Sequence, residues 1–483
     1  MNRKKGCIAL GCLIASAVLL LLCSQCSPLY PINVWPDANC LLTVGRVMKD
    51  GGVVYRDIYE QKGPTLYLIH AIAACISDQS FLGVYVMEVF SFAFTLYLAC
   101  LTGMRRRRAW ATLCDAALIG ACVLTGSAFC RGDSAEEFCL PYLMGALYLA
   151  LRHYGDQDGP MPAKALFVCG LLAGMVATIK FTILGLFVGL CIAEGVLALR
   201  AGGFGRALKS AVVFLGGMMV PVALWCAYFA CHGALGDFYT AYIHNNVFLY
   251  GDEARTMLDA VRDIWRTMRG NLLWVLLAGI GMLGLLLDGR ERMQLRLALL
   301  SMALCAFASV FFLGRTWTYS PLVLGVFAFV GFASAPNPAD RLKSRWAGNL
   351  AASVSCVLAL AVAVFLSPNA YLRGERLENL AQGRLGAYVH EGATLLQYSH
   401  LDDGLYLAAD RLPQQRYFVR LNVQYDEMFE ELDRYVAEAI PDYVLTAWEP
   451  LAERFDRYQL IATDAGYDDF DRINKLFYLY RRR

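Results

Sequence analysis

Residues Trp35–Tyr67 have the sequence WPDANCLLTVGRVMKDGGVVYRDIYEQKGPTLY, a polar stretch with several glycines and charges of both signs. An apolar run from Cys7 to Cys26 precedes it, and apolar residues resume at Leu66. Asp37 stands near its start and Lys62 near its end. Because the preceding run is long enough to cross the hydrocarbon core of a bilayer, the pattern predicts a charged loop at a membrane surface.

The whole chain has the composition of a membrane protein. Of its 483 residues, 58% are hydrophobic and 17% are charged, with a mean hydropathy of +0.45, whereas a soluble domain carries about 25% charged residues. The net charge of +2 arises from Lys and Arg scattered between apolar blocks, which argues against nucleic acid as a partner. Most of the 17 cysteines lie inside apolar blocks, where a thiol behaves as a small apolar group.

About eleven apolar segments have roughly the length of a transmembrane helix. Basic residues precede the first segment, as in a signal peptide, but no small-residue cleavage site follows it. We therefore expect a membrane helix there. The shorter run 66–76 predicts a partial or re-entrant helix. The predicted spans are 7–26, 80–102, 109–128, 137–152, 165–180, 183–199, 210–231, 271–287, 297–313, 321–335 and 348–367.

Basic residues cluster in alternate short loops, for example at 105–108 and 341–345. Since such residues favour the cytoplasmic side, we expect a cytoplasmic N-terminus and an external first loop, 27–65. Residues 1–367 are then an all-α polytopic membrane domain. Residues 368–483 show one helical and three strand-like patterns, which predict a small extracytoplasmic α/β domain.

Three charged groups are candidates for chemistry. Asp37 follows Pro36 before a predicted short helix, so it can act as a general base or cap the helix N-terminus. Lys62 precedes a Gly-Pro break at the membrane face, where it can bind a phosphate or extend to the interface as lysines often do. Its crowding with Arg56, Asp57 and Glu60 favours a site.

The third group is a very short loop between two spans, Cys130–Glu137. Arg131 can clamp a phosphate, and Asp133 with Glu136 can hold a divalent cation such as Mg²⁺ or Mn²⁺. Alternatively the loop is a solvated turn, with Glu136 and Glu137 favoured by the dipole of the next helix. Lys180 and Arg315 add weaker candidates, because each lies at an outer span end.

The first loop, with the form P-D…G…Y-R-D-I-Y-E-Q-K-G-P, resembles that of bacterial glycosyltransferases with the GT-C fold, in glycosyltransferase family 39. These are related to protein O-mannosyltransferases and to the aminoarabinose transferase that modifies lipid A. Segments Arg131–Glu137, Gly314–Tyr319 and Ile440–Val444 match later parts of the same pattern. One departure is Thr318, since related sequences often have histidine before the tyrosine.

The resemblance implies an inverting hexosyl- or pentosyltransferase that uses a polyprenyl-phosphate-sugar donor. The acceptor would be an extracytoplasmic glycan, lipid or protein. Asp37 would be the catalytic base, and Lys62 and Arg131 would bind the donor phosphate. The residues that would position donor, acceptor or metal are Arg56, Asp57, Glu60, Asp133, Glu136, Glu137, Lys180, Arg315 and Tyr319.

Two other function classes fit a polytopic chain with charged loops. A transporter or flippase of lipid-linked glycans would show internal repeats and broken helices, and no repeat pairs the two halves of this sequence. A non-catalytic scaffold for envelope assembly would not depend on Asp37.

Overall fold

The computed structural model describes residues 2–104, 108–249, 256–334, 345–468 and 473–483. Up to residue 366 the described chain is helical, and a π-helical segment covers Tyr239–Leu249. The helices are α1 (Asn2–Cys23), α2 (Pro36–Lys49), α3 (Pro64–Ile76), α4 (Leu82–Gly103), α5 (Ala109–Leu124), α6 (Ala135–Asp156), α7 (Ala163–Lys180), α8 (Gly185–Cys231), α9 (Leu235–Phe238), α10 (Met257–Gly270), α11 (Leu272–Leu287), α12 (Met293–Phe311), α13 (Val326–Ser334) and α14 (Arg345–Leu366).

Several of these helices have the length and composition of membrane spans. Within the described residues, α1, α4, α7, α8 and α12 qualify, and α10 with α11, which are bent by 101° at their junction, count as a sixth if taken together. Large apolar side chains such as Phe90, Leu224 and Ile280 are exposed on the outer faces, where lipid rather than water suits them. The chain is therefore a multi-pass membrane protein.

A helix lies at each predicted span, but the count of eleven spans is not confirmed. The predicted spans 183–199 and 210–231 are joined in α8, which is kinked where Gly202 and Gly203 leave helical geometry. Gly203 has φ 70°, a conformation that glycine adopts without steric cost. The short run after the first loop forms α3, whose 13 residues rise only about 20 Å. The predicted basic residues 105–107 and 341–344 lie outside the described residues.

After residue 366 the described chain forms a small four-stranded sheet with short helices. The strands are β1 (Leu395–Gln397), β2 (Tyr443–Ala447), β3 (Tyr458–Asp468) and β4 (Ile473–Arg482), in the order β1-β2-β4-β3. Only the β1–β2 pair is parallel. Strands β3 and β4 are longer than predicted because they form one hairpin. The helices are α15 (Ala381–Gly386), α16 (Leu405–Ala408) and α17 (Asp426–Ala437).

The sheet region is attached to α2 and to the first loop. Thr43 Oγ1 donates to Asp402 Oδ2 at 2.7 Å, and Arg46 forms a 2.8 Å ion pair with Asp410. Burial raises the pKa of Asp402 to about 6. These contacts fix the C-terminal region against the second half of α2. The division into domains at 367/368 stays a prediction.

Candidate active site

A cavity of about 410 Å³ lies between the helical part, the first loop and the C-terminal region. Its wall holds most of the site residues predicted from the sequence, drawn from positions up to about 280 residues apart. A cavity of this size falls within the usual range for small-molecule sites. The predicted residues that line it are Asp37, Glu60, Lys62, Arg131, Glu136, Lys180, Arg315 and Tyr319.

Asp37 lies in the first turn of α2, and its carboxylate faces the cavity. Trp35, not Asp37, occupies the N-cap position, and Pro36 begins the helix. The carboxylate is 3.4 Å from Lys62 Nζ through Oδ1, and Oδ2 accepts a 3.2 Å hydrogen bond from Tyr319. Asp37 therefore does not cap the N-terminus of α2, although the helix dipole still favours a carboxylate in its first turn.

Lys62 is held between two carboxylates. Its Nζ is 3.0 Å from Glu60 Oε1, and its backbone N–H donates to Glu60 Oε2 at 3.0 Å. The Lys62 side chain is 15% exposed and that of Glu60 only 1%. Burial alone would lower the pKa of Lys62, but the charges of Asp37 and Glu60 raise it above its usual value. Lys62 therefore carries its charge inside the cavity rather than extending to a lipid interface.

The Gly-Pro break after Lys62 packs tightly against the end of α7. Gly63 N–H donates to Ile179 O at 3.0 Å, and a Cβ at Gly63 would stand 2.2 Å from Thr178 O. Tyr55 adds a hydrogen bond of 2.6 Å from its hydroxyl to Lys62 O. Only glycine permits this close approach, so the loop geometry that presents Lys62 is fixed by its neighbours.

The second charged loop is folded into a strained turn. Cys130, Gly132 and Asp133 have φ of 58°, 85° and 64°, which is uncommon for the two non-glycine residues. A Cβ at Gly132 would lie 2.4 Å from Ser24 Oγ. The turn directs the almost fully buried Arg131 to the cavity wall, and such strain is found chiefly at functional sites.

The acids and bases around this turn separate into two groups, one at the cavity wall and one behind it. Glu136 lines the cavity and forms an ion pair with Lys180 at 2.7 Å. The Nζ of Lys180 also lies 5.1 Å from the centre of the Tyr319 ring. Asp133 is buried behind the wall, where its carboxylate contacts His70 Nε2 at 2.7 Å and its N–H donates to Glu137 Oε2 at 3.0 Å. Glu137 does not line the cavity, and its own N–H donates to the hydroxyl of Ser134, the N-cap of α6.

Arg56 and Asp57 are not brought into the site. They form an exposed 2.7 Å ion pair with each other, and Asp57 Oδ2 accepts a hydrogen bond from the N–H of Val53. Arg56 also donates to the carbonyl of His232 at 2.8 Å. Asp57 therefore stabilises the loop's own turn, Arg56 also joins the loop to the end of α8, and neither residue lines the cavity.

Sequence reasoning named Tyr319 but missed the other aromatic residues beside it and the C-terminal share of the cavity. Trp35 packs on Tyr319 with ring centres 4.9 Å apart, and Arg315 lies 4.3 Å over Trp317. The C-terminal region contributes a second set of lining residues, namely His400, Leu401, Leu421, Asn422, Trp448 and Lys475. The aromatic content of the first set was visible in the sequence, but nothing there connected residues 400–475 with the first loop.

The two metal candidates have other partners. Asp133 contacts His70, and Glu136 is paired with Lys180. In the ranges that the structure describes, no group of three His, Cys, Asp or Glu side chains is placed to hold a metal ion.

No protein-family model and no curated protein sequence matches the chain. The solved structures that are similar to it include ArnT from Cupriavidus metallidurans in the apo state, at 11% identity, and the same protein bound to undecaprenyl phosphate, at 13%. Each has a TM-score of 0.63 and covers 98% of both chains. The chain has the GT-C fold. At these identities the similarity shows the fold of the protein and not its reaction.

The electrostatics of the cavity in this GT-C protein favour an anion. Five basic side chains and three acidic ones line it, which gives a formal net charge of +2 with His400 neutral. Most apolar side chains in the lining, among them Val310, Leu313 and Val323, come from the helical part, and the C-terminal region adds Leu401 and Leu421. One cavity therefore combines positive charge with an apolar wall beside the membrane-spanning helices.

Proposed function

We propose that this protein is an integral-membrane glycosyltransferase that takes a sugar from a polyprenyl-phosphate donor and transfers it to an extracytoplasmic acceptor. The observation that carries the proposal is the contact between Asp37 and Lys62 in a net-positive cavity beside the spanning helices. A lipid phosphate needs a cation and an apolar wall, and an acceptor hydroxyl needs a base. The cavity holds all three.

In this mechanism Asp37 takes the proton of the acceptor hydroxyl as its oxygen attacks the anomeric carbon. The bond from that carbon to the phosphate oxygen breaks, and the electron pair leaves with the polyprenyl phosphate. Attack from the face opposite the phosphate inverts the anomeric centre. Lys62 and Arg131 stabilise the charge that develops on the leaving phosphate.

The two carboxylates beside Lys62 have different roles in the proposal. Glu60 is nearly fully buried and lies closer to Nζ, at 3.0 Å against 3.4 Å for Asp37. Glu60 therefore orients the ammonium group, while Asp37 at the cavity wall accepts the proton. In the similar ArnT structure the bound molecule is undecaprenyl phosphate, which is the class of leaving group proposed here.

The topology belongs to the same proposal. The basic residues in the short loops favour a cytoplasmic N-terminus, and the first loop and the C-terminal region would then lie outside. Donor and acceptor would then meet at the outer surface of the membrane.

Mass analysis of cell-envelope glycans tests the proposal. Cells that lack the gene are complemented with the wild type, with Asp37→Asn or with Asp57→Asn. We expect a sugar to disappear on deletion and to return with the wild type and the Asp57 variant but not with the Asp37 variant. Restoration by Asp37→Asn would contradict a catalytic base at this position and favour a transporter or a scaffold.

A further inference from the structure

Trp448 is an exposed aromatic residue in an unusual backbone conformation. It follows β2, whose five residues are all buried, yet it is itself 44% exposed. Its φ is +67°, a left-handed value that is a genuine outlier for a bulky residue. Its N–H still donates to Leu476 O at 2.7 Å. The strand pairing thus continues through Trp448 while its side chain leaves the sheet.

The indole is fixed in place by neighbours from two other segments. The His400 ring meets it edge-on with ring centres 4.5 Å apart, and Lys475 Nζ lies 4.6 Å from its ring centre. Lys475 is in turn paired with the buried Asp403. Burial alone would raise the pKa of Asp403, but Lys475 and His400 lower it below its usual value, so the positive charge of Lys475 is offset locally.

This cluster lines the same cavity as Asp37 and Lys62. The helical part and the first loop supply the cations proposed to bind the phosphate. The C-terminal region supplies Leu401, Leu421 and the Trp448 ring, with polar neighbours that include the exposed Asn422. An exposed tryptophan is also common in interfacial belts of membrane proteins. A belt residue needs no left-handed backbone and no ion-paired lysine at its ring, so these features favour a binding role.

We infer that Trp448 is the platform on which a sugar ring of the acceptor packs, which makes the acceptor a glycan. The inference rests on the proposed transferase function. The face of an aromatic ring carries partial negative charge and attracts the polarised C–H groups on one face of a pyranose. Because the positive charge of Lys475 is offset by Asp403, this side of the cavity suits an uncharged sugar. His400 and Asn422 can form hydrogen bonds with the hydroxyl groups of that sugar.

The test uses the full-length protein in nanodiscs and two probes. The first is undecaprenyl phosphate, whose binding is measured by protection against thermal unfolding. The second probe is the acceptor, envelope glycan from cells that lack the gene, which is freed of lipid and treated with protease. The lipid extract of the same cells serves as the donor, and the rate of transfer is measured against glycan concentration. The variants are Trp448→Ala, Trp448→Phe and the control Trp265→Ala, an exposed tryptophan on α10 that does not line the cavity.

For Trp448→Ala we expect the glycan concentration at half-maximal rate to rise about tenfold, or about 1.4 kcal/mol, with undecaprenyl phosphate binding unchanged. Trp448→Phe should recover most of the loss, and Trp265→Ala should behave as the wild type. A change below twofold for Trp448→Ala, an equal change for Trp265→Ala, or transfer to the lipid extract without transfer to the glycan would overturn the inference alone. A wild type that neither binds undecaprenyl phosphate nor transfers would overturn the proposed function as well.

Discussion

Replacing Asp37 with asparagine separates the chemistry from the fold. The change keeps the size of the side chain and an oxygen that can accept from Tyr319, so the local geometry is retained. It removes one of the two carboxylates beside Lys62, the more distant one at 3.4 Å, while Glu60 at 3.0 Å stays. Lys62 therefore keeps a buried partner, and the free energy of unfolding should fall by only about 1–2 kcal/mol.

The effect on the reaction should be much larger. A positioned general base contributes about 10²- to 10⁴-fold to a rate, which corresponds to about 3–5.5 kcal/mol of barrier. We expect the Asp37→Asn protein to transfer sugar at least 100-fold more slowly than the wild type. Undecaprenyl phosphate should still bind, because Lys62, Lys180 and Arg131 are unchanged and one negative charge has left the cavity.

The assay follows the initial rate of polyprenyl phosphate release in nanodiscs, with lipid and glycan extracts from cells that lack the gene. Asp57→Asn is the matched control, since Asp57 lies in the same loop but is exposed and does not line the cavity. Its rate should stay within twofold of the wild type. A rate for Asp37→Asn within tenfold of the wild type, or an equal loss for both variants, would refute the assignment of the base.

Three further predictions follow from single contacts. Lys62→Gln should weaken undecaprenyl phosphate binding at least tenfold, since a hydrogen bond to a charged group is worth about 1.5–3 kcal/mol. The control Lys49→Gln lies outside the cavity and should change the binding less than twofold. Equal losses for the two variants would contradict the assignment of Lys62 to the donor phosphate. Glu136→Gln should tighten that binding about threefold, because it removes an acid beside the cavity's cations, and weaker binding would show instead that Glu136 positions Lys180. Burial raises the pKa of Asp402 to about 6 from its ordinary value of 3.8, so that its charged form costs up to about 3 kcal/mol of stability. The contribution of Asp402 to stability is fully present below about pH 4 and is lost as the pH rises through 6. The Asp402→Asn protein should therefore be more thermally stable than the wild type at pH 7.5 but not at pH 4. A gain in stability that does not vary with pH would contradict the raised pKa of Asp402.

Local signals in the sequence predicted much of the fold. Each of the eleven predicted apolar spans contains a helix in the described part of the chain, because the length and hydrophobicity of a segment are local properties that favour a helix there. The kink in α8 was read as a loop, since the glycines and basic residues at 200–209 look like one. β1 was missed because three residues carry too short a pattern, and its pairing with β2 depends on residues almost 50 positions away.

The site was predictable where charge stands close to a span end. Asp37, Lys62 and Arg131 were singled out for that reason, and the structure brings them to one cavity. Sequence could not tell that Arg56 and Asp57 satisfy each other, or that the left-handed turn at Asp133 directs its carboxylate to His70. The direction of a side chain in a short loop depends on backbone angles and packing, and neither can be predicted from the local amino-acid composition.

The share of the cavity wall that comes from the C-terminal region has a consequence for biosynthesis. Asp37 and Lys475 are roughly 440 positions apart, and at about 5–20 residues per second the ribosome takes roughly 20–90 s to pass from one to the other. During that interval the first loop has emerged, but β4 and its partners do not yet exist. The cavity is therefore completed late in synthesis, and a nascent chain that stalls before β4 leaves the charged loop without its C-terminal wall.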